Sequence, residues 1–397
     1  MSHPLRVLSL YEGFFAGGAR ILHTDVVAGL HGLDQQHAVL SIASEAVREG
    51  TVQPLHDDPR YQRLAAAGVP VTTLGRTASA APPDRAAYRR AELEIAASAI
   101  AEADLVLSLK EQPLGLILAL ADAGLMPEVP VAACLHRSDP THSGPALGWL
   151  VEAAASGLLT ATISCAESTA AAYERAGVMT ADRRVIANGV DLDRFAPGDG
   201  TEARALLGIT ASAPVVVYAA RFDAMKDPGL LLRSVAAHQR LRPDTHYVLC
   251  GAGMTPDNPM LRAMADEAGV VWDERMRALG IRDDMPSIYR AADIVALTSA
   301  FGEASPLCLL EGAASGATPV TTAVGDAARS VAGFGVVTPH DPDAIAAAWQ
   351  HVLAHRPGFR EAALQARPRI GRDRMLADYR DAVIDCAAAA EAGEVAA

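Results

Sequence analysis

Residues Ser299–Val320 read SAFGEASPLCLLEGAASGATPV, and the apolar run ADIVALTS leads into them. That run is a buried strand by composition, and the stretch after it is a loop, a short helix and a second apolar strand at Thr318–Thr322. Ser305 is placed to cap the helix, with Pro306 at the first helical position, where a fixed φ and a missing donor cost nothing. The helix should run to about Ser315, with Gly316 past its end. Glu303 then lies in the loop before the helix and Glu311 in its second turn, roughly 8–12 Å apart at 1.5 Å rise per residue. Two glutamates at a fixed separation say little alone and fit an ordinary surface βα unit. In this setting they suit the two ends of one elongated anionic ligand, with the helix N-terminus facing the charge between them.

Outward from this unit, the chain alternates strand and helix almost throughout. In the first half strands are expected at 5–10, 39–42, 71–74, 105–109, 131–135, 162–165 and 185–187. Ala-rich helices are expected at 89–103, 144–155 and 167–176. In the second half strands are expected at 215–220, 247–250, 294–298, 319–322 and 335–337, and helices at 228–241, 259–267, 306–315 and 342–354. The strands are short Val/Ile/Leu-rich runs without clean alternation, as in parallel sheets covered on both faces. This predicts an α/β chain of two doubly wound domains. The boundary is expected at FAPGDGT, giving domains of 1–197 and 198–372. A last helix, from about 373 onward, is expected to pack back onto the first domain.

The chain has 397 residues, half of them hydrophobic and 20% charged, with a formal net charge of −13. That charge argues against a nucleic-acid partner. No stretch of 18 apolar residues appears, which predicts no membrane insertion, and MSHPLRVLSLYEG has no cleavage-type site, which predicts a cytoplasmic protein. Five scattered cysteines fit buried free thiols in a reducing compartment. The arginine-rich segment 356–374 alternates with Pro, Glu and Asp and reads as a solvated helix face.

The loop after the first strand, YEGFFAGGAR, puts Gly17 and Gly18 before a helix. Without Cβ atoms they let backbone N–H groups approach an anion, or simply make a tight turn. The loop is not GxGxxG, so a nicotinamide or flavin site has no support. ARFDAMKD brings Arg221 and Lys226 out at the carboxyl end of a strand, where ligands of open α/β sheets bind, and two cations there suit a diphosphate. His136 ends another strand in CLHRSDPTHSG, placed to meet a substrate hydroxyl or to serve as a structural histidine. With Asp139 and His142 it makes a poor metal set, because the loop does not put the three on one face. NGVD (188–191) is a turn, Gly251-Ala252-Gly253 another, and ALGIRDDMP (278–286) a third, with Arg282 its best side-chain candidate. No GxSxG, P-loop or Cys/His nucleophile pattern is present.

In this order, the Gly-Gly loop, the histidine, NGVD, Arg-x4-Lys, GxG, LG-x-R-x-D and Glu-x7-Glu resemble the retaining glycosyltransferases of family 4, with the GT-B fold. The resemblance covers nearly the whole chain and is most specific in the second half. It implies two Rossmann-like domains facing an interdomain cleft, the first binding the acceptor and the second a nucleotide diphosphate sugar, with a UDP-sugar as the leading donor. It further implies Arg221 and Lys226 on the diphosphate with the Gly17 and Gly18 backbone, Glu311 on the ribose, and Glu303 and His136 on the sugar. Backbone amides of Ser305, Pro306 and Leu307 would lie at phosphate or sugar, and Gly251 and Arg282 near the nucleotide. No metal or other cofactor is implied. Two departures stand out: Ala220 precedes Arg221 where the family commonly has glycine, and Asp227 follows Lys226 where it also commonly has glycine. Asp227 should therefore point away from the phosphates.

The acceptor is expected to be a small soluble polar molecule such as an aminocyclitol. Lipid-linked or polysaccharide acceptors, or a GT-B epimerase or phosphorylase, are the alternatives. A glycoside hydrolase needs two carboxylates about 5–9.5 Å apart across one bond, which Glu303 and Glu311 reach poorly. A non-catalytic binding protein of the same fold is the remaining possibility.

Overall fold

A computed structural model describes residues 3–15, 17–48, 51–78 and 84–396. Its contacts divide the chain into an N-terminal unit of 1–187 with 375–397 and a C-terminal unit of 188–374. The division falls ten residues before the expected 197/198. The reason is that NGVD belongs to the second unit, where Val190 bridges to Gly371 and Arg374 donates to the Asn188 carbonyl at 2.9 Å. Proline and glycine in FAPGDGT mark a bend within that unit rather than its edge.

The N-terminal unit holds strands β1 (Leu5–Tyr11), β2 (Gln35–Arg48), β3 (Thr51–Pro54), β4 (Val71–Ala78), β5 (Leu105–Leu109), β6 (Val131–Leu135), β7 (Ala161–Ser164) and β8 (Asp182–Val185). They form one sheet in the order β3-β2-β1-β5-β6-β7-β8, with β4 also paired to β2. All pairings are parallel except β2 with β3. β5 and β6 are buried at every residue, which is why their apolar runs read cleanly. β2 is far longer than the expected 39–42, because its polar end is held by the antiparallel β3. The last helix, Arg372–Ala396, returns to this unit: the Gln35 amide donates to the Arg380 carbonyl at 3.1 Å, and Arg184 pairs with Asp385 at 2.8 Å.

The C-terminal unit holds β9 (Val215–Ala219), β10 (His246–Cys250), β11 (Met276–Gly280), β12 (Ile294–Leu297), β13 (Thr318–Thr322) and β14 (Val336–Thr338). They form a parallel sheet in the order β11-β10-β9-β12-β13-β14, the doubly wound order with its reversal between β9 and β12. β11 ends within ALGIRDDMP (278–286), whose first three residues, expected to belong to a turn, are its last three. As an edge strand it alternates buried and half-exposed residues and so lacks the apolar run of its neighbours. Helices Pro228–Leu241, Pro259–Ala268 and Pro342–Ala354 each start with proline behind a capping Asp227, Asn258 or Asp341.

The arginines of 356–374 are not a solvated face. Arg367 donates to the carbonyls of Leu192, Phe195 and Ala314, Arg360 to those of Gly198 and Gly316, and Arg372 pairs with Asp191 at 2.7 Å. They close the polar ends of chain segments that no strand or helix satisfies. All five cysteines are free, four buried and Cys308 half-buried. Among the described residues no helix is long and apolar enough to cross a membrane.

Candidate active site

The reversal between β9 and β12 brings the loops after these two strands together at their carboxyl ends. From the first loop comes Lys226 and from the second Glu303, and the two form an ion pair across 77 residues of sequence. Only 15% of the lysine side chain and 6% of the glutamate side chain are exposed. The Ser299 hydroxyl donates to the same carboxylate oxygen. Lys226 is held from behind, because its carbonyl accepts from the Tyr218 hydroxyl at 2.8 Å and the Thr298 hydroxyl at 3.1 Å.

Arg221 is nearby in sequence but differently placed. Its side chain is 64% exposed, and its guanidinium makes two bonds to Asp223, at 2.8 and 2.7 Å. The other Asp223 oxygen accepts from the Lys226 N–H at 3.1 Å. One aspartate thus organises both cations of ARFDAMKD, a role sequence reasoning did not assign. The signal was there: an Asp two residues after one cation and three before the other suits a capped turn.

Asp227 adopts φ +43, one of two left-handed non-glycine residues among those described. This is a conformation that glycine takes freely. Asp227 offsets the strain by capping the next helix, accepting from Leu230 N–H at 2.8 Å, and its other oxygen pairs with His340 at 3.0 Å. Both carboxylate oxygens are therefore engaged away from Lys226.

The helix after β12 is Leu307–Ala314, one residue later than expected. Ser305 is not its cap. Pro306 is the N-cap with an extended ψ of 113° and has no side chain to bond the first turn, so the leading N–H groups have no side-chain cap. The Ser305 carbonyl instead accepts from the Asn188 amide at 2.9 Å, which ties NGVD to this loop. Gly302 and Gly325 pack the loop tightly. A Cβ on Gly302, at φ +78, would lie 2.6 Å from the Met225 sulfur, and one on Gly325, at φ +54, would lie 1.6 Å from the Glu303 carbonyl oxygen.

Glu311 is half-buried on the helix, and the Tyr289 hydroxyl donates to it at 3.2 Å. Burial raises its pKa from 4.5 to about 7. A carboxyl raised in the folded state favours folding most below pH 4.5, and that contribution is lost as pH rises through 7. Glu311→Gln should therefore be more stable than wild type by about 1–3 kcal/mol at pH 8, with the gap closing toward pH 4.5. Urea titrations at the two pH values check this. A constant gap would place the charge cost elsewhere.

Gly251 has φ +132, and a Cβ there would sit 2.2 Å from the Ala220 carbonyl oxygen. It admits the peptide that leads into Arg221. Arg282 lies beyond β11 and is bound to Asp284 at 2.6 and 2.8 Å.

In the N-terminal unit, the strand order reverses between β1 and β5. Gly17 caps the helix Gly18–Leu30. A Cβ at Gly17 would meet nothing nearer than the Arg20 guanidinium at 3.6 Å, so the protein itself does not demand glycine there. His136 follows β6 with both ring nitrogens buried and without a hydrogen-bond partner among the described residues, and burial lowers its pKa to about 3, which leaves it neutral. Asp139 and His142 pair with each other at 2.9 Å in the half-exposed loop beyond.

Residues 213–355 match the family "Glycosyl transferases group 1". The D-inositol 3-phosphate glycosyltransferase of Mycolicibacterium gilvum (strain PYR-GCK) is 38% identical over 216 residues, which are 51% of this chain and 47% of that protein. The enzyme of the same name from Saccharomonospora viridis is 34% identical over 221 residues, half of each chain. The chain thus spans about half the length of the curated relatives it matches. Among solved structures, the Anabaena protein HepE in complex with UDP superposes with a TM-score of 0.77 at 20% identity, over 96% of this chain and all of that one. Sucrose-phosphate synthase of Thermosynechococcus elongatus gives 0.70 at 17% identity, over 97% of this chain and 100% of that one. Residues 213–355 are therefore similar to the glycosyl transferases group 1 family, in a chain whose fold is GT-B.

Proposed function

We propose that the protein transfers a sugar from a nucleotide diphosphate sugar to a hydroxyl of a small polar acceptor, with retention of anomeric configuration and without a metal. The observation that carries this reading is the Lys226–Glu303 pair, held by Ser299, Tyr218 and Thr298 at the strand reversal of the C-terminal unit. Structures similar to this chain contain UDP and UDP-glucose, which favours a UDP-sugar as donor. The relatives named above act, by their names, on an inositol phosphate, which favours a compact polar acceptor.

In this reading the diphosphate lies at the N-terminus of Leu307–Ala314, against Lys226 and Arg221. The ammonium, the guanidinium and the free N–H groups stabilise the charge that builds on the departing phosphate. Glu311 accepts from the ribose hydroxyls and Glu303 from those of the sugar. Glu303 is held by Lys226 and Ser299 and takes no part in proton transfer in this reading. The departing phosphate oxygen takes the acceptor's proton as the hydroxyl attacks the same face. His136, neutral and with neither ring nitrogen bonded among the described residues, offers a hydrogen bond to a substrate hydroxyl.

The test is a thermal-shift screen with UDP-, GDP-, ADP- and dTDP-sugars, followed by mass spectrometry of products from soluble and lipid acceptors in EDTA. Stabilisation by one nucleotide and a retained anomer in the product are expected. Turnover of the donor with no acceptor would point to an epimerase, and a requirement for free phosphate to a phosphorylase.

A further inference from the structure

Two histidines four residues apart close the helix Pro342–Ala354. His351 lies in its last turn and His355 is its C-cap. His355 is also the N-cap of the next helix, Arg356–Gln365, so the pair stands at the corner between the two. Residues four apart share one face of a helix, and this face looks outward, since both histidines are exposed. Their ring centres are 4.6 Å apart, with the planes tilted by 47°. Two imidazoles that each place a nitrogen about 2.1 Å from one metal ion, at right angles or somewhat wider, have ring centres roughly 4.5–5 Å apart. The observed spacing is that of a chelating pair, reached with no movement of the backbone.

Ring contact alone would give a similar distance, and the hydrogen bond behind His355 is what separates the two. Its Nδ1 lies 2.9 Å from the His351 carbonyl. A carbonyl only accepts, so Nδ1 carries the proton and Nε2 of the neutral ring keeps its lone pair. Metal-ligating histidines are oriented in this way, with the other ring nitrogen donating to a backbone carbonyl or a carboxylate. His351 is steadied by the edge of Phe359, with ring centres 5.5 Å apart at 84°. The next residue in sequence, Arg356, pairs with Asp293 at 3.5 Å, so the nearest cation along the chain is spent on a carboxylate.

Among the described residues no group of three or more His, Cys, Asp or Glu is placed to hold an ion. Two imidazoles would thus supply the protein ligands and water the rest, which makes an open, exchangeable site. Nitrogen donors suit Zn²⁺ and its neighbours in the first transition row, whereas Mg²⁺ and Ca²⁺ take oxygen.

We propose that His351 and His355 chelate a divalent transition-metal ion such as Zn²⁺ and so pin the corner between Pro342–Ala354 and Arg356–Gln365. The second of these helices carries Arg360, which holds the Gly198 and Gly316 carbonyls, so the pinned corner steadies the C-terminal unit. The site is independent of the transferase reading, and transfer without a metal is compatible with it.

Calorimetry on the full chain with Zn²⁺ and, separately, Mg²⁺ tests this, with wild type beside His351→Gln and His355→Gln. Both side chains are exposed, so glutamine at either leaves the core untouched. Zn²⁺ sites elsewhere in the chain appear in all three proteins and cancel. Each variant is expected to bind Zn²⁺ at this site at least about tenfold more weakly, because a chelate loses its effective concentration with either ligand. Zn²⁺ should also raise the urea midpoint of wild type more than that of either variant, by mass action on the folded state. Equal Zn²⁺ affinity in all three proteins would overturn the proposal. A loss in one variant alone would do so too, since the pair would then not chelate. Mg²⁺ displacing Zn²⁺ would mark oxygen ligands and sink it, and so would a wild-type midpoint that Zn²⁺ moves no more than it moves the variants'.

Discussion

Lys226→Met should lower sugar transfer by about 10²–10³-fold, the scale of losing one preorganised charge at a developing anion. It should also destabilise the fold, because Glu303 is left buried without its counter-ion. Breaking a fully buried pair costs about 3–5 kcal/mol, and the slight exposure of Lys226 puts this one at about 2–3 kcal/mol. Glu303→Gln should cost less stability, about 1–2 kcal/mol, since the orphaned ammonium keeps some water and three rotatable donors. The double variant separates the two roles. With both charges gone no ion is stranded, so its loss of stability should fall short of the sum of the single losses by at least about 1 kcal/mol. Its turnover should be no better than that of Lys226→Met. Urea titration and initial rates on the four proteins measure both. A folded Lys226→Met that transfers sugar at near wild-type rate would remove the lysine from the diphosphate site.

Gly325→Ala should be nearly as damaging, though Gly325 touches no ligand in the proposed reaction. Its backbone is left-handed, and the added methyl would lie 1.6 Å from the Glu303 carbonyl oxygen and 2.6 Å from its carbon. Rotating a side chain cannot relieve a clash with backbone, so one of the two peptides must move. Glu303 is the group tied to Lys226 and Ser299, and a misplacement of about 1 Å there costs about 10²-fold in rate. The stability loss should reach about 3–5 kcal/mol, the range of strain combined with overpacking. Gly333→Ala is the control. It too has a left-handed φ, +84, but open space where the methyl would go, so about 1 kcal/mol and unchanged turnover are expected. If the two variants behave alike, the close approach at Glu303 has no part in positioning it.

Much of the fold was legible because burial on both faces leaves an unmistakable record. Leu105–Leu109 and Val131–Leu135 lie where their apolar runs placed them, and Pro228–Leu241 and Pro342–Ala354 start where Asp-Pro announced them. Edges were less legible. The strand Met276–Gly280 is not expected from the sequence and overlaps the turn expected at 278–286, and the strand expected at 185–187 lies at Asp182–Val185, because an edge strand with arginines in it has no continuous apolar run. Ser305 carried the right chemistry for a cap, but the extended Pro306 displaced it by one residue.

From sequence alone came the alternation of strand and helix, and with it the location of Arg221, Lys226, Glu303 and His136 at or just beyond the carboxyl ends of strands. Local periodicity determines those features, since each needs only a dozen neighbouring residues to declare itself. Tertiary structure decided the partners. Lys226 meets Glu303 because β9 and β12 are neighbours at the strand reversal, Asp223 takes Arg221 while Lys226 is drawn inward, and Gly325 leaves room for the Glu303 peptide. Those contacts depend on which strands lie side by side, and sheet order is set by packing across the whole unit rather than by any one segment.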